Sequence, residues 1–161
     1  MKLTKALIRL YLCLIRPHLE YAAPVWNLYL KKDVQKLESI QKFALKLCLK
    51  SWDGSYSDHL QACNLPCLTD RRKMLCLMYL YKAVNGHVVN PINAPLEPRI
   101  CSYNTRSNSQ KAYNQPYAHS NSYFHSFYPS TLSLWNLLPQ SIIISPSILS
   151  FKRNLMDYFS T

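Results

Sequence analysis

Three stretches of the chain repeat apolar residues every three to four positions, the spacing of one face of an α-helix. In the first, Leu3 to Ile15, the apolar positions on this spacing are 3, 6, 7, 10, 11 and 14. In the second, Asp33 to Lys50, one side is formed by Leu37, Ile40, Ala44, Leu47 and Cys48. The third, Thr69 to Asn85, is apolar nearly all round from Met74 onward. The pattern predicts helices that form one bundle, with the third buried at its centre.

Capping residues indicate where these helices begin and end. Asp33 is the predicted N-cap of the second helix and Thr69 that of the third, which Gly86 should stop. Between the second and third helices, a short helix is expected to start at Ser57 or Asp58.

The segment Leu14 to Trp26, LIRPHLEYAAPVW, joins the first two predicted helices. Pro17 lacks an N–H and clashes with the carbonyl four residues earlier, so it should end or kink the first helix and begin a short new one. Tyr21 and Trp26 are its largest apolar side chains and are expected at the junction of the bundle. The titratable groups beside them are Arg16, His18 and Glu20.

Composition changes in the second half of the chain. Residues 87–98 are Pro-rich and are interpreted as a linker between a helical bundle, 1–86, and a basic, Tyr/Ser-rich region, 99–161. From Pro98 to Met156 there is no Asp or Glu. The predicted fold is therefore mainly α, a helical bundle followed by a small α+β C-terminal region with short strands.

Tyrosines, serines and asparagines favour a small β element at about 103–128. A helix should follow at 129–136, because Pro129 suits a first helical turn. Ser147 or Ser150 should cap a closing helix that runs through Phe159. A packing motif, expected to dock on the first-half bundle, is formed by Trp135, Asn136, Leu137 and Leu138.

A formal charge of +11, from 19 Lys and Arg against 8 Asp and Glu, favours polyanionic partners, nucleic acid before an acidic membrane surface. On the second helix, the side opposite the apolar one carries Lys36, Lys42, Lys46 and Lys50. This row is either a solvated face or a phosphate-binding face, and the sequence weighs the two equally. In the second half, candidates for contacts to phosphates and unpaired bases are Arg99, Arg106, Lys111 and Tyr113.

Several classes of function are disfavoured. The two glycines have no partner at motif spacing, which excludes Gly-rich phosphate loops and the dinucleotide fingerprint, and no cofactor or small-molecule substrate is indicated. The cysteines lie among apolar residues, which is typical of reduced thiols in an intracellular protein of the nucleus or cytoplasm. No apolar run approaches the ~18 residues of a membrane span, so no membrane partner is expected.

A zinc site is a weaker alternative. His59, Cys63 and Cys67 form an H-x3-C-x3-C run that Cys76 or His87 would complete. Structural cysteine is favoured over a metal site because Pro66 interrupts the run, and no metal is predicted. No local signature supports a nucleophilic catalytic group either.

The text IRPHLEYAAPVWN resembles the segment of non-LTR (LINE-like, jockey- or CR1-type) retrotransposon reverse transcriptases where the chain passes from the palm into the thumb. The matches continue, in order, with Leu30–Asp33, Leu65-Pro66, Asp70–Arg72, Leu80–Lys82, Asn85-Gly86, Ser126–Pro129, Trp135–Pro139 and Phe151-Lys152. The resemblance implies that 1–86 is a thumb-like bundle and that the palm, with its metal-binding carboxylates, would lie before this region. Because no two acids are adjacent here, no catalytic residue is assigned and no polymerase activity is expected of this chain.

Two hypotheses of function follow. The first is a template/primer-binding module that contacts RNA or an RNA/DNA duplex. The second is a protein-interaction module or an orphan fragment, whose apolar surface would face the palm domain. An exposed apolar patch on the first helix would favour the second hypothesis.

Overall fold

The structure is a computed structural model that describes residues 2–26, 28–88, 96–99 and 112–160. Its helices are α1 (Lys2–Leu10), a π-helical turn (Tyr11–Ile15), α2 (Arg16–Glu20), α3 (Lys31–Leu49), α4 (Tyr56–Cys63), α5 (Leu68–Val84), α6 (Asn121–Phe124), α7 (Phe127–Leu137), α8 (Gln140–Ile143) and α9 (Ile148–Ser160). They form two compact units, Met1–Arg72 and Lys73–Thr161, which divide within α5. The compositional boundary at 87–98 stays a prediction.

The mainly helical prediction is confirmed, and the predicted short strands are wrong for the part of 103–128 that the structure describes. Residues 112–128 contain no strand and only one bridge, from Tyr113 to Pro98. α6 forms because Ser120 accepts a hydrogen bond from the Tyr123 amide, and α7 because its first turns bury Tyr128. Capping and burial outweigh the β preference of tyrosine. Residues 103–111 lie outside the described part of the chain.

Pro17 lies in the first turn of a short new helix, as predicted, because α2 begins at Arg16 directly after the π-helical turn. The π-helical turn before it contains a wider hydrogen bond, from the Arg16 amide to the Tyr11 carbonyl. This change of register accommodates a residue that cannot donate and whose ring crowds the preceding turn. The chain leaves the helix after Glu20 and turns at Ala22, whose φ of +48° is left-handed.

The predicted N-caps are corrected by one to three residues. α3 begins at Lys31, so Asp33 lies in its first turn. α4 is capped by Ser55, whose hydroxyl accepts from the Asp58 amide while the Asp58 carboxylate accepts from the Ser55 amide. α5 begins at Leu68, which places Thr69 inside the helix. A capping residue type locates a helix start only approximately, because the cap depends on which side chain reaches the free amides.

In the first unit, Glu20 joins the segment Leu14 to Trp26, which we call the elbow, to the start of α5. Arg71 donates from Nε and Nη2 to the two Glu20 carboxylate oxygens, at 3.0 and 2.9 Å. Arg16 lies 3.3 Å from the same carboxylate. Arg16 and Glu20 of the predicted motif are therefore structural, whereas His18 is exposed. Paired arginines keep a largely buried carboxylate compensated.

Arg72 makes a second attachment between the same segments. It is buried and donates to the backbone oxygens of Leu19 and Trp26, at 2.8 and 3.2 Å. Its guanidinium also lies 4.1 Å from the Trp26 ring centroid, a cation–π contact. Trp26 therefore contacts the start of α5 through Arg72 although it is 37% exposed, and Tyr21 is 77% exposed and is not part of the core.

Glu38 of α3 caps α5 from outside. Its carboxylate accepts from the Leu68 and Thr69 amides at 3.4 and 2.8 Å, from the Thr69 hydroxyl at 2.8 Å and from the Tyr56 hydroxyl at 2.5 Å. The first amides of a helix have no partner within the helix, and a negative charge there also suits the helix dipole. One side chain of α3 therefore determines how α5 begins.

The second unit has its own apolar core, drawn from α5, α7, α8 and α9. Trp135 is 1% exposed and lies against Phe151 and Tyr113, with ring centroids 5.8 and 6.4 Å away. The Asn136 amide exchanges two hydrogen bonds with the Tyr113 backbone, at 2.9 and 3.1 Å. Trp135 and Leu138 of the motif share this core with residues of α5, one of the three helices predicted for the first half, and the core belongs to the second unit, whereas Leu137 is exposed. Ser147 supplies the cap of α9 by accepting from the Ser150 amide.

Truncating Trp135 should be costly, because the cavity would lie in the core of the second unit. Trp135→Ala is expected to lower the free energy of unfolding by roughly 3 to 5 kcal/mol in urea denaturation. Leu137→Ala, its exposed neighbour on α7, is the matched control and should change stability by less than about 0.5 kcal/mol. Equal effects of the two substitutions would contradict the burial of Trp135.

Glu38→Gln tests the external cap of α5. The amide nitrogen would face an O–H or N–H donor, so the free energy of unfolding should fall by about 1.5 to 3 kcal/mol and hydrogen exchange at the Thr69 amide should accelerate. Glu97→Gln makes the same chemical change at an exposed site and serves as the control. If Thr69 exchange matched that of the parent, Glu38 would not be the cap.

Candidate nucleic-acid interface

α3 carries its lysines on the side that faces away from the first unit's interior. Its buried residues are Gln41, Ala44, Leu45 and Cys48, and the helix packs against α1 and α4. The exposed or half-buried lysines of the helix and its C-cap are Lys31, Lys32, Lys36, Lys42, Lys46 and Lys50. The predicted lysine row therefore exists as a surface.

The buried side of α3 is rotated from the one predicted. Ile40 and Leu47 were expected inside and are exposed, whereas Gln41 is fully buried. Gln41 accepts from the Tyr11 hydroxyl at 2.6 Å and donates to the Tyr56 hydroxyl at 3.0 Å and to a backbone oxygen. A buried amide whose oxygen and nitrogen both have hydrogen-bond partners is acceptable in a core, and it turns Ile40 and Leu47 toward solvent.

The acids of α3 leave its central lysines unpaired. Asp33 binds Lys36 at 3.3 Å, and Glu38 is turned inward to α5. Within the described part of the chain, the salt bridges do not involve Lys42, Lys46 or Lys50. These three form what we call the lysine row; Lys36 is partly neutralised at its edge.

Two exposed aromatic side chains accompany the lysine row. Phe43 is 55% and Trp52 58% exposed, and their rings meet edge to face with centroids 6.2 Å apart. The Lys46 ammonium lies 5.9 Å from the Trp52 ring centroid. Sequence reasoning missed this pair, although Phe43 directly follows Lys42 and only Ser51 stands between Lys50 and Trp52.

The turn after α3 holds Trp52 in place. Lys50 adopts a left-handed conformation, φ +54°, and the Ser51 amide closes the helix on the Lys46 carbonyl at 3.3 Å. The Ser51 hydroxyl donates to the Asp53 carbonyl at 3.0 Å. A lysine at the carboxyl end also suits the helix dipole.

The predicted nucleic-acid contacts in the second half of the chain do not form a comparable charged surface among the described residues. Arg99 is exposed and its amide donates to the Ala112 carbonyl at 2.8 Å. Tyr113 is half-buried beside Trp135, and this burial raises its pKa. Arg106 and Lys111 lie outside the described residues.

The zinc alternative finds no support in the geometry. In the described residues, which include every member of that proposed set, no group of three or more His, Cys, Asp or Glu could hold a metal ion. The Cys67 thiol instead donates to Asp70 at 3.0 Å and accepts from the Asp70 amide at 3.4 Å, an N-cap for α5. Burial raises the pKa of Cys48 and Cys63. Burial, followed by the bond to Asp70, raises the pKa of Cys67 to about 11, so these thiols resist forming the thiolate that binds metals.

α1 and the π-helical turn also present apolar side chains to solvent. Leu3, Leu10, Leu14 and Ile15 are exposed, whereas Tyr11 on the inner side is buried. This is the surface that the protein-interaction hypothesis requires.

Comparisons with known protein families, curated proteins and solved structures find no match to this chain. No helix in the described segments combines the length and apolar character needed to cross a membrane.

Stability should decrease at alkaline pH. The raised pKa of Cys67 means that the folded state holds this proton more tightly than the unfolded state. The resulting stabilisation is complete below the ordinary thiol pKa of 9.0 and is lost as the pH rises toward about 11. Urea midpoints of the parent should therefore fall over this interval, and those of Cys67→Ser should fall less. Parallel curves for the two proteins would show that Cys67 does not contribute.

Proposed function

We propose that this chain is a nucleic-acid-binding module in which the lysine row of α3 contacts phosphates. The observation that carries the proposal is the position of Lys42, Lys46 and Lys50 on the exposed side of a helix, without carboxylate partners among the described residues. Consecutive lysines of the row are four residues apart, which corresponds to about 6 Å along the helix axis. A row of unpaired cations on a regular support favours a polyanion through counterion release.

The inner side of α3 supports the proposal because it makes the row a fixed array. Gln41 and Glu38 bond to residues of the π-helical turn, α4 and α5 within the first unit, so α3 cannot rotate without breaking buried hydrogen bonds. Because the helix that carries the lysines is already ordered, less conformational entropy is lost when a ligand binds, and this favours affinity.

The resemblance to non-LTR retrotransposon reverse transcriptases supports the same function. By that resemblance, we propose that the chain is a thumb and downstream region without a catalytic palm, and that its partners are RNA or an RNA/DNA duplex and the palm itself. The proposed role is to hold template and primer, and no catalytic residue is assigned.

The exposed apolar side of α1 favours a second candidate function, docking to another protein. Leu10 and Leu14 occupy adjacent turns of the exposed side, and a palm domain is the partner that the resemblance suggests. The two functions use different surfaces of the first unit and can be tested separately.

The lysine row is tested by a salt series. Binding of the parent to structured RNA and to an RNA/DNA duplex should show log K falling steeply with log salt. For each phosphate that the triple variant Lys42/Lys46/Lys50→Gln no longer binds, the slope should decrease by about 0.7 to 0.9. Lys46→Gln alone should weaken binding similarly for all sequences.

The control variant, Lys5/Lys152/Arg153→Gln, removes the same charge from exposed sites on α1 and α9. It should keep a slope near that of the parent if the contacts are specific to the row. Equal slopes for the parent and the Lys42/Lys46/Lys50→Gln variant would remove α3 as the binding surface.

A further inference from the structure

We propose that Phe43 and Trp52 form a stacking platform for an unpaired base of a single strand whose phosphates lie along the lysine row. The inference rests on the proposed function and adds to it the form of nucleic acid that this surface selects. It begins from the edge-to-face pair, with both rings more than half exposed beside Lys46.

The aromatic pair has the exposure of a binding surface and not of a core. Ile40 and Leu47 flank Phe43 at helical spacing and are also exposed, so apolar area continues along the solvent side of α3. Leaving such apolar area in water is unfavourable. A ligand with flat apolar faces would remove part of that cost.

The charges around the pair specify the ligand further. The Lys46 ammonium lies 5.9 Å from the Trp52 ring centroid. In the chain, Lys42 directly precedes Phe43, and Trp52 follows shortly after Lys50 and is followed by the carboxylate of Asp53. A ligand that suits this surface combines flat apolar groups with regularly repeated negative charge, and a nucleic-acid strand has this combination. An acyl chain has no such charge, and an apolar protein helix would place Lys46 in an unfavourable environment.

The strand must be unpaired where it meets the platform. In a duplex the faces of the bases are covered by their neighbours, and only an end or an unstacked base exposes one. Stacking on aromatic side chains is largely independent of base identity, because every base has a π-face. The platform therefore predicts a preference for single strands over duplexes, with little sequence specificity.

Trp52 is suited to this role because its backbone is already fixed. The Ser51 amide bonds to the Lys46 carbonyl on one side, and the Ser55 capping box begins α4 on the other. An aromatic side chain on a fixed turn loses little conformational freedom when a base stacks on it.

The test compares a short oligothymidylate with an abasic sugar-phosphate oligomer of equal length and charge, both fluorescently labelled. The parent should bind the base-bearing strand at least about fivefold more tightly, the lower end of the effect of one stacked base. Phe43→Ala and Trp52→Ala should each reduce this ratio toward one while leaving the salt slope unchanged. Trp52→Phe should keep most of it, and Tyr21→Ala, an exposed aromatic on the elbow, should leave it unchanged.

Tryptophan emission provides a second measurement. Oligothymidylate should quench the emission of the parent and should quench that of Trp52→Phe much less, because the other tryptophans lie outside the platform. Equal quenching of the two proteins would overturn the stacking proposal.

The outcomes separate the two proposals. If the parent binds both oligomers equally and loses affinity only in the Lys42/Lys46/Lys50→Gln variant, phosphate binding stands and the platform is wrong. If neither oligomer binds, the proposed function and the platform both fail. If an acidic peptide containing aromatic residues quenches Trp52 and the oligomers do not, the surface recognises protein and the platform proposal is overturned.

Discussion

The arrangement of the segments in the first unit depends on which groups accept hydrogen bonds from the amides at the beginning of α5. A helix start leaves amide groups without partners, and here the Glu38 carboxylate accepts from Leu68 and Thr69. Arg71 and Arg72 then attach the same turn to Glu20 and to backbone oxygens of the elbow. Removing one member would leave a buried charge or amide unpaired, which costs more than the intact bond contributes. These polar contacts therefore define which arrangement of the segments is allowed.

The same contacts determine what α3 presents to solvent. Glu38 and Gln41 must point inward to meet their partners, so the apolar side expected from helical spacing is rotated. Ile40, Phe43 and Leu47 become exposed as a result, next to the lysine row. The proposed binding surface thus follows from the buried hydrogen bonds on the opposite side of one helix. Buried polar groups here act on specificity of arrangement as much as on stability.

Local sequence features predicted the long helices well and their ends less well. Apolar periodicity over Asp33 to Lys50 located α3 within two residues at its start and one at its end, because one repeat extends over several turns. The strands expected from tyrosine content are absent from the described part of 103–128, where caps and burial of Tyr128 favour helix. β preference depends on neighbours across a sheet, and no sheet is available to supply them in that part of the chain. The exposure of Phe43 and Trp52 was not predicted, because whether an aromatic side chain is buried depends on what packs around it in the folded chain and not on its place in the sequence.

The sequence by itself determined the helical class, the position of the proline-dependent elbow and the excess of positive charge, since each is encoded by residues a few positions apart or by composition. Only the tertiary structure decided which side of α3 is buried, which carboxylate caps α5 and which aromatic residues stay in solvent. The partners that make these choices are distant in sequence, 31 positions for Glu38 and Thr69 and 51 for Glu20 and Arg71. Such pairs form only when the chain has folded, because a polar group becomes buried where a partner can satisfy it, and no local pattern states where that partner will be.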